Sequence, residues 1–163
     1  MWYSNRVTRG TFAFVNEKDK YVQMTEQDYL RLAVEQSKRA QPPHQYGAVV
    51  VVDGEIIAAD NNHVWERKDP SAHAEVSTIV RACQKVGSHN LRHATLYASH
   101  EPCVMCFSCA AWAGIERIVY ATKASELAGV DDSYEFKDMS LQDLTAKLLR
   151  PMSIEYMPLT AGA

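Results

Sequence analysis

His73-Ala74-Glu75 and, thirty residues on, Pro102-Cys103-Val104-Met105-Cys106 restrict the fold of this chain more than any other feature, because their donor atoms make chemical sense only if they converge. Imidazole and two thiolates suit a borderline-soft ion such as zinc, and a catalytic zinc takes three protein ligands and leaves its fourth tetrahedral position to water. His73, Cys103 and Cys106 fill those three places. Water on such a metal loses a proton near neutral pH, and Glu75 stands where a carboxylate can move that proton without binding the metal. Pro102 marks a helix entrance, where backbone N–H groups and the helix dipole favour thiolates; His73 and Glu75 read as the opening of a second helix. The chain must therefore bring two helix N-termini to one point.

Two other uses of the cysteine pair compete with this reading: a closed four-ligand zinc site and a redox dithiol. Neither gives Glu75 a task. Cys109 extends the run to Cys103-x-x-Cys106-x-x-Cys109, but an iron–sulfur cluster would need a fourth thiolate, available only from Cys83, and would leave His73 idle.

The rest of the chain supplies the scaffold. Thr25-Glu26-Gln27-Asp28 resembles a capping box with Asp in the usual Glu or Gln place, Leu30, Ala33 and Val34 make an apolar face behind it, and Pro42-Pro43 ends that helix. Apolar and β-branched runs over 47–52 and 55–59 flank Asp53-Gly54, which predicts an antiparallel hairpin. A polar loop then leads through Asp69-Pro70 to a helix over 72–85, with Val76, Ile79, Val80 and Cys83 at helical spacing and Gly87 closing it. A strand at 94–98, a helix at 103–113 ended by Gly114, and a strand at 117–121 follow. Helical turns near 125–128 and 141–149 and a strand at 153–157 complete the pattern. Strands joined through a helix run parallel, so the order predicts an α/β fold: a three-layer α/β/α sandwich with a mixed, mostly five-stranded central sheet. Residues 1–24 read as an N-terminal arm and 25–163 as one domain.

Seventeen basic against twenty acidic residues give a net charge of −3, so the chain lacks a basic footprint. The expectation is a small substrate rather than nucleic acid. Lys38-Arg39 and Arg67-Lys68 are candidates for a local phosphate-holding patch, although such short basic pairs usually read as solvated surface. No eighteen-residue apolar run and no signal region stand out, and thiolate ligands agree with a reducing compartment, so a cytoplasmic protein is expected.

His73-x-Glu75 with Pro102-Cys103-x-x-Cys106 resembles the signature of zinc-dependent nucleobase deaminases of the cytidine-deaminase-like superfamily. Asp69-Pro70-Ser71-Ala72-His73-Ala74-Glu75 and Glu101-Pro102-Cys103-Val104-Met105-Cys106 are similar to the branch that holds guanine, guanosine and tRNA-specific adenosine deaminases. Ala128-Gly129-Val130-Asp131-Asp132-Ser133 looks like the Gly-Phe-Asp-Asp segment of guanine deaminases, with Val130 for Phe. The resemblance implies Zn2+ as cofactor, Glu75 as acid and base, and Asp132, with Asp131 as runner-up, as the acid that helps the amine leave. It also implies Asn62 as a hydrogen-bonding partner of the purine, with Ala74, Glu101, Trp112 and Asp131 among the substrate contacts. From the residues alone Asn61-Asn62 also reads as a turn, Trp112 as core, and Asp131-Asp132 as a turn or helix cap. The implied protein is a homodimer acting on a purine base or nucleoside, guanine to xanthine and ammonia being the leading case. A tRNA adenosine deaminase and a non-catalytic zinc-stabilised binding module are the alternatives. Where family members have Pro-Phe-Gly-Ala, this chain has Gln45-Tyr46-Gly47-Ala48, which keeps an aromatic ring and adds a hydroxyl.

Overall fold

The capping box forms as the sequence predicts: the Asp28 N–H donates to Thr25 Oγ1 at 3.3 Å and the Thr25 N–H to the Asp28 carboxylate at 2.8 Å, opening helix α1 (Glu26–Ser37). The computed structural model describes residues 24–126 and 140–160. Strands β1 (Gly47–Val52) and β2 (Glu55–Asn61) pair antiparallel around Asp53 and Gly54. Both turn residues have positive φ, 50° and 80°, as a two-residue hairpin turn twisted to match its strands requires. A single-turn helix α2 (Val64–Arg67), helix α3 (Ala74–Val86), strand β3 (Ala94–Ala98), helix α4 (Val104–Trp112) and strand β4 (Arg117–Tyr120) follow. A 3-10 turn at Ala124–Glu126, helix α5 (Leu141–Thr145) and strand β5 (Ser153–Tyr156) complete the described elements.

The sheet has five strands among the described residues, in the order β2-β1-β3-β4-β5. β1 is antiparallel to both neighbours, while β3, β4 and β5 run parallel. It is the mixed sheet expected. Side chains alternate between faces with period two. Val49, Val51, Tyr97 and Val119 pack with Leu30 and Ala33 of α1, whereas Val50, Leu96 and Ile118 pack with Ile79 of α3 and Phe107 and Ala110 of α4. Covered on both sides, the inner strands carry the continuous apolar runs that such burial demands. Arg117 pairs with Glu26 and, at 2.6 Å, with Glu155, and the Tyr97 hydroxyl donates to Glu26 at 3.1 Å. The start of α1 is thus tied to three strands.

Gly47 is where α1 and β1 touch. A Cβ there would lie 2.2 Å from the Ala33 carbonyl oxygen and 2.4 Å from the Ser37 nitrogen, both backbone atoms that cannot step aside alone. Gly47→Ala should therefore cost about 3 kcal/mol or more of stability, read as a lower urea midpoint at unchanged slope; an unchanged midpoint would show that the helix can move away freely.

Three details differ from the sequence reading. β2 continues to Asn61, and the stretch read as polar loop contains α2, held by the Val64 N–H donating to Asn62 Oδ1 at 3.2 Å and by His63 between Asp60 and Glu66. One turn is too short to show a period. Val80 is 46% exposed, because the buried stripe of α3 runs through Ala74, Thr78 and Ala82, with Glu75 and Ile79 beside it. No helix among the described residues is long and apolar enough to cross a membrane.

Candidate active site

The start of β1 and the ends of β2 and β3 lie side by side at one end of the strands, and the N-termini of α3 and α4 meet there. His73 is the N-cap of α3 and Cys103 the N-cap of α4, both with extended backbone, and Cys106 lies one turn into α4. The Ser77 N–H donates to the His73 carbonyl at 2.8 Å and the Phe107 N–H to that of Cys103 at 2.9 Å, so each ligand closes the first turn of its own helix. The ligand spacing in sequence becomes a triangle in space.

Its edges are 3.5 Å between the two Sγ atoms, 3.7 Å from Cys103 Sγ to His73 Nδ1 and 3.6 Å from Cys106 Sγ to His73 Nδ1. Zinc bonded at about 2.3 Å to sulfur and about 2.0 Å to nitrogen with tetrahedral angles requires S···S of about 3.8 Å and S···N of about 3.5 Å. The donor set fits zinc in type and size. Among the described residues, His73, Cys103 and Cys106 form the one group of three or more such donors close enough to share an ion. Cys83 and Cys109 pack against the core instead, which leaves no cluster of four thiols.

The thiols differ in their hold on protons. Cys106, with His73 beside it, draws the Cys103 thiol down to about 4, while Cys103 and burial push Cys106 well above an ordinary thiol. Glu75 is 6% exposed, and burial pushes its carboxyl up to about 6; Cys106 donates to its Oε2 at 3.3 Å. An acid that ionises near neutrality, next to the metal triangle but outside it, can both accept and return a proton.

The remaining sequence-derived residues divide. Asn62 is 9% exposed at the end of β2; its Nδ2 donates to the His44 carbonyl at 3.0 Å and its Oδ1 accepts from Val64. The turn and the pocket readings of Asn62 are thus compatible: two backbone bonds fix an amide that has a second N–H and a second lone pair. The His63 N–H donates to the Ala72 carbonyl at 2.9 Å, which holds this segment beside His73. Ala74 has its methyl in the core, so only its backbone at the start of α3 can face a ligand. Glu101 accepts the Ala124 N–H at 3.0 Å, tying the loop before Cys103 to the turn after β4.

Trp112 corrects the core reading. It ends α4, nine residues or about 13 Å from Cys103, is 85% exposed, and lines a separate cleft of about 900 Å³ with Arg92, Lys147, Arg150 and Met152. Its place on the zinc-ligand helix suggested pocket or core, and its exposure at the end of α4 rules out core. Asp131 and Asp132 lie outside the described residues. The sequence reading missed the pair formed by Tyr46 and His100, whose rings meet edge to face at 5.1 Å. Only the departure at Tyr46 hinted at it.

Residues 23–122 match the family model described as the cytidine and deoxycytidylate deaminase zinc-binding region. A guanine deaminase of Bacillus subtilis (strain 168) is 43% identical over 96 residues, 58% of this chain and 62% of that protein. A tRNA-specific adenosine deaminase of Aquifex aeolicus (strain VF5) is 33% identical over 117 residues, 71% of this chain and 78% of that one. The X-ray structure of the Bacillus subtilis guanine deaminase superimposes with a TM-score of 0.64 at 34% identity, covering 80% of this chain and 85% of that chain. With tRNA-specific enzymes among the relatives, the exclusion of nucleic acid drawn from net charge does not stand, since total charge is blind to how a few cations are placed.

Proposed function

The chain belongs to the cytidine and deoxycytidylate deaminase zinc-binding family, and from that premise we propose that it is a zinc-dependent hydrolytic deaminase of purines, with guanine to xanthine and ammonia as the leading reaction. The observation that carries this reading is the buried Glu75 beside a three-donor triangle of zinc dimensions. A structural metal has no use for such a carboxyl. When held by His73, Cys103 and Cys106, zinc supplies a water that deprotonates near neutral pH.

The chain's own residues then handle base and protons. Asn62, fixed by its two backbone bonds, orients the ring through its second N–H and lone pair, with the Ala74 backbone opposite. Glu75 takes a proton from water and returns it to a ring nitrogen, and Asp132, or failing that Asp131, protonates the departing amine. In the balance, water oxygen replaces nitrogen on the ring carbon and ammonia leaves. Guanine is favoured by the 43% identical relative and by the likeness of residues 128–133.

A second reading, adenosine within tRNA, is supported by α2. Trp65 is 61% exposed three residues after Asn62, its ring 5.8 Å from that of His44, and Arg67 and Lys68 beside it are exposed. An aromatic ring among cations is how single strands are held. Ammonia release from guanine, guanosine, adenosine, cytosine, cytidine and tRNA, against a Glu75→Gln blank, decides between them. Release from tRNA alone would move the substrate, and zinc-loaded protein silent on all six would leave only a zinc-stabilised binding module.

The reading includes a homodimer in the cytoplasm, where thiol ligands stay reduced. Met105 and Trp112, seven residues apart on α4, leave an exposed apolar strip that a second copy would cover. Trp112→Glu should convert a sedimenting dimer to monomer at micromolar concentration; a monomeric parent protein would remove the assignment.

A further inference from the structure

Ser99, 1% exposed, follows β3 and stands between two other groups. The Gly47 N–H donates to its Oγ at 3.0 Å, and that Oγ lies 2.9 Å from Nδ1 of His100. If Nδ1 carried the proton, Oγ would accept twice, and its own O–H would have to find an acceptor elsewhere in a buried site or go unpaired at a cost. With the hydroxyl donating to Nδ1, every group is used. The His100 proton then sits on Nε2, and burial, which pushes the imidazole pKa down, keeps the ring neutral.

His100 precedes Glu101-Pro102-Cys103, and its ring stands at 85° against that of Tyr46. Tyr46 packs on the core shared by α3 and α4, the side of the sheet that carries the zinc ligands. The ring pair therefore stands on the zinc side, between the starts of β1 and of the metal loop. We infer that His100 is a specificity-determining residue of the pocket, whose Nε2–H is a fixed donor to an acceptor on the purine, either an oxo oxygen or a pyridine-type ring nitrogen. This rests on the purine-deaminase reading above. A ring locked in this tautomer has no acceptor to offer, so it discriminates against a purine that presents an amine or N–H at the same place.

The test uses zinc-loaded full-length protein, wild type and His100→Leu, with guanine, 2-aminopurine (which lacks the oxo oxygen) and 7-deazaguanine (which lacks N7). His100→Leu should lower kcat/KM for guanine about 10- to 100-fold, mainly through KM. The loss should nearly vanish for the one analogue that lacks the acceptor being read, and His100→Gln, which keeps an N–H, should recover part of it. Equal losses on all three bases, or none on guanine, would overturn the assignment. Nitrogen-15 imidazole shifts give a readout independent of turnover: the Nε2–H tautomer in the wild type and a mixture in Ser99→Ala. Finding the proton on Nδ1 overturns the inference whatever the substrate. If the enzyme ignores guanine, the purine-base reading has failed separately, and the same variants are run on the substrate from the ammonia panel with its deaza analogues.

Discussion

Glu75→Gln should lower ammonia release by about 100- to 10,000-fold, the range expected for loss of a positioned acid–base group, and leave the zinc content unchanged. The amide has the size of the carboxyl and fits the same buried place at the start of α3, so the packing is undisturbed. It cannot take a proton and hand it on. Glu75 is outside the donor triangle, its contact being a 3.3 Å hydrogen bond from Cys106, so metal content should remain that of the parent. Steady-state kinetics on the accepted substrate and metal analysis of the same sample check both halves. A variant that retains a tenth or more of the activity would remove Glu75 from the chemistry, and one that loses its zinc would make it a metal-site residue instead.

Cys106→Ser should take the protein from about one zinc per chain to almost none, because a hydroxyl stays protonated where a thiolate would bind and the other two donors are too few to hold the ion. Cys106 is fully buried, so no outside group can replace it. Stability falls with the metal. A ligand at a thousandfold excess over its Kd contributes about 4 kcal/mol, which for a chain of this size is roughly 8 to 16 °C in Tm. Chelation of the parent protein should give a similar drop, restored by added zinc. Cys83→Ser and Cys109→Ser are the controls, since both thiols pack against the core rather than in the triangle. If they lose zinc as Cys106→Ser does, the three-ligand site is wrong.

The metal ligands were legible because their information is local. Spacing places His73 and Cys103 at helix starts, and the helix itself then aims them, so two short motifs suffice once the strands bring the helices together. The strands were legible for a similar reason: 47–52 and 94–98 are runs that only a sheet covered on both faces can bury. What could not be read depends on segments far apart in sequence. The bond from Asn62 to the carbonyl of residue 44, the one from Gly47 to Ser99, and the meeting of Tyr46 with His100 exist only after the sheet has formed. Helical period gave Val80 a face but not a depth, and it is exposed at a position an apolar pattern would have hidden.

The absent side chain of Gly47 has a mechanical consequence. On one side this residue lies against the backbone of α1, in the layer away from the metal; on the other its N–H holds Ser99, and through it the ring of His100. With His100 in the pocket as proposed, α1, in the layer away from the metal, braces the pocket wall, which can be no stiffer than the seat of α1 on β1. Heating or substitution that loosens this seat would blur the choice of substrate before it weakened the metal's hold, because the zinc donors hang from the opposite layer.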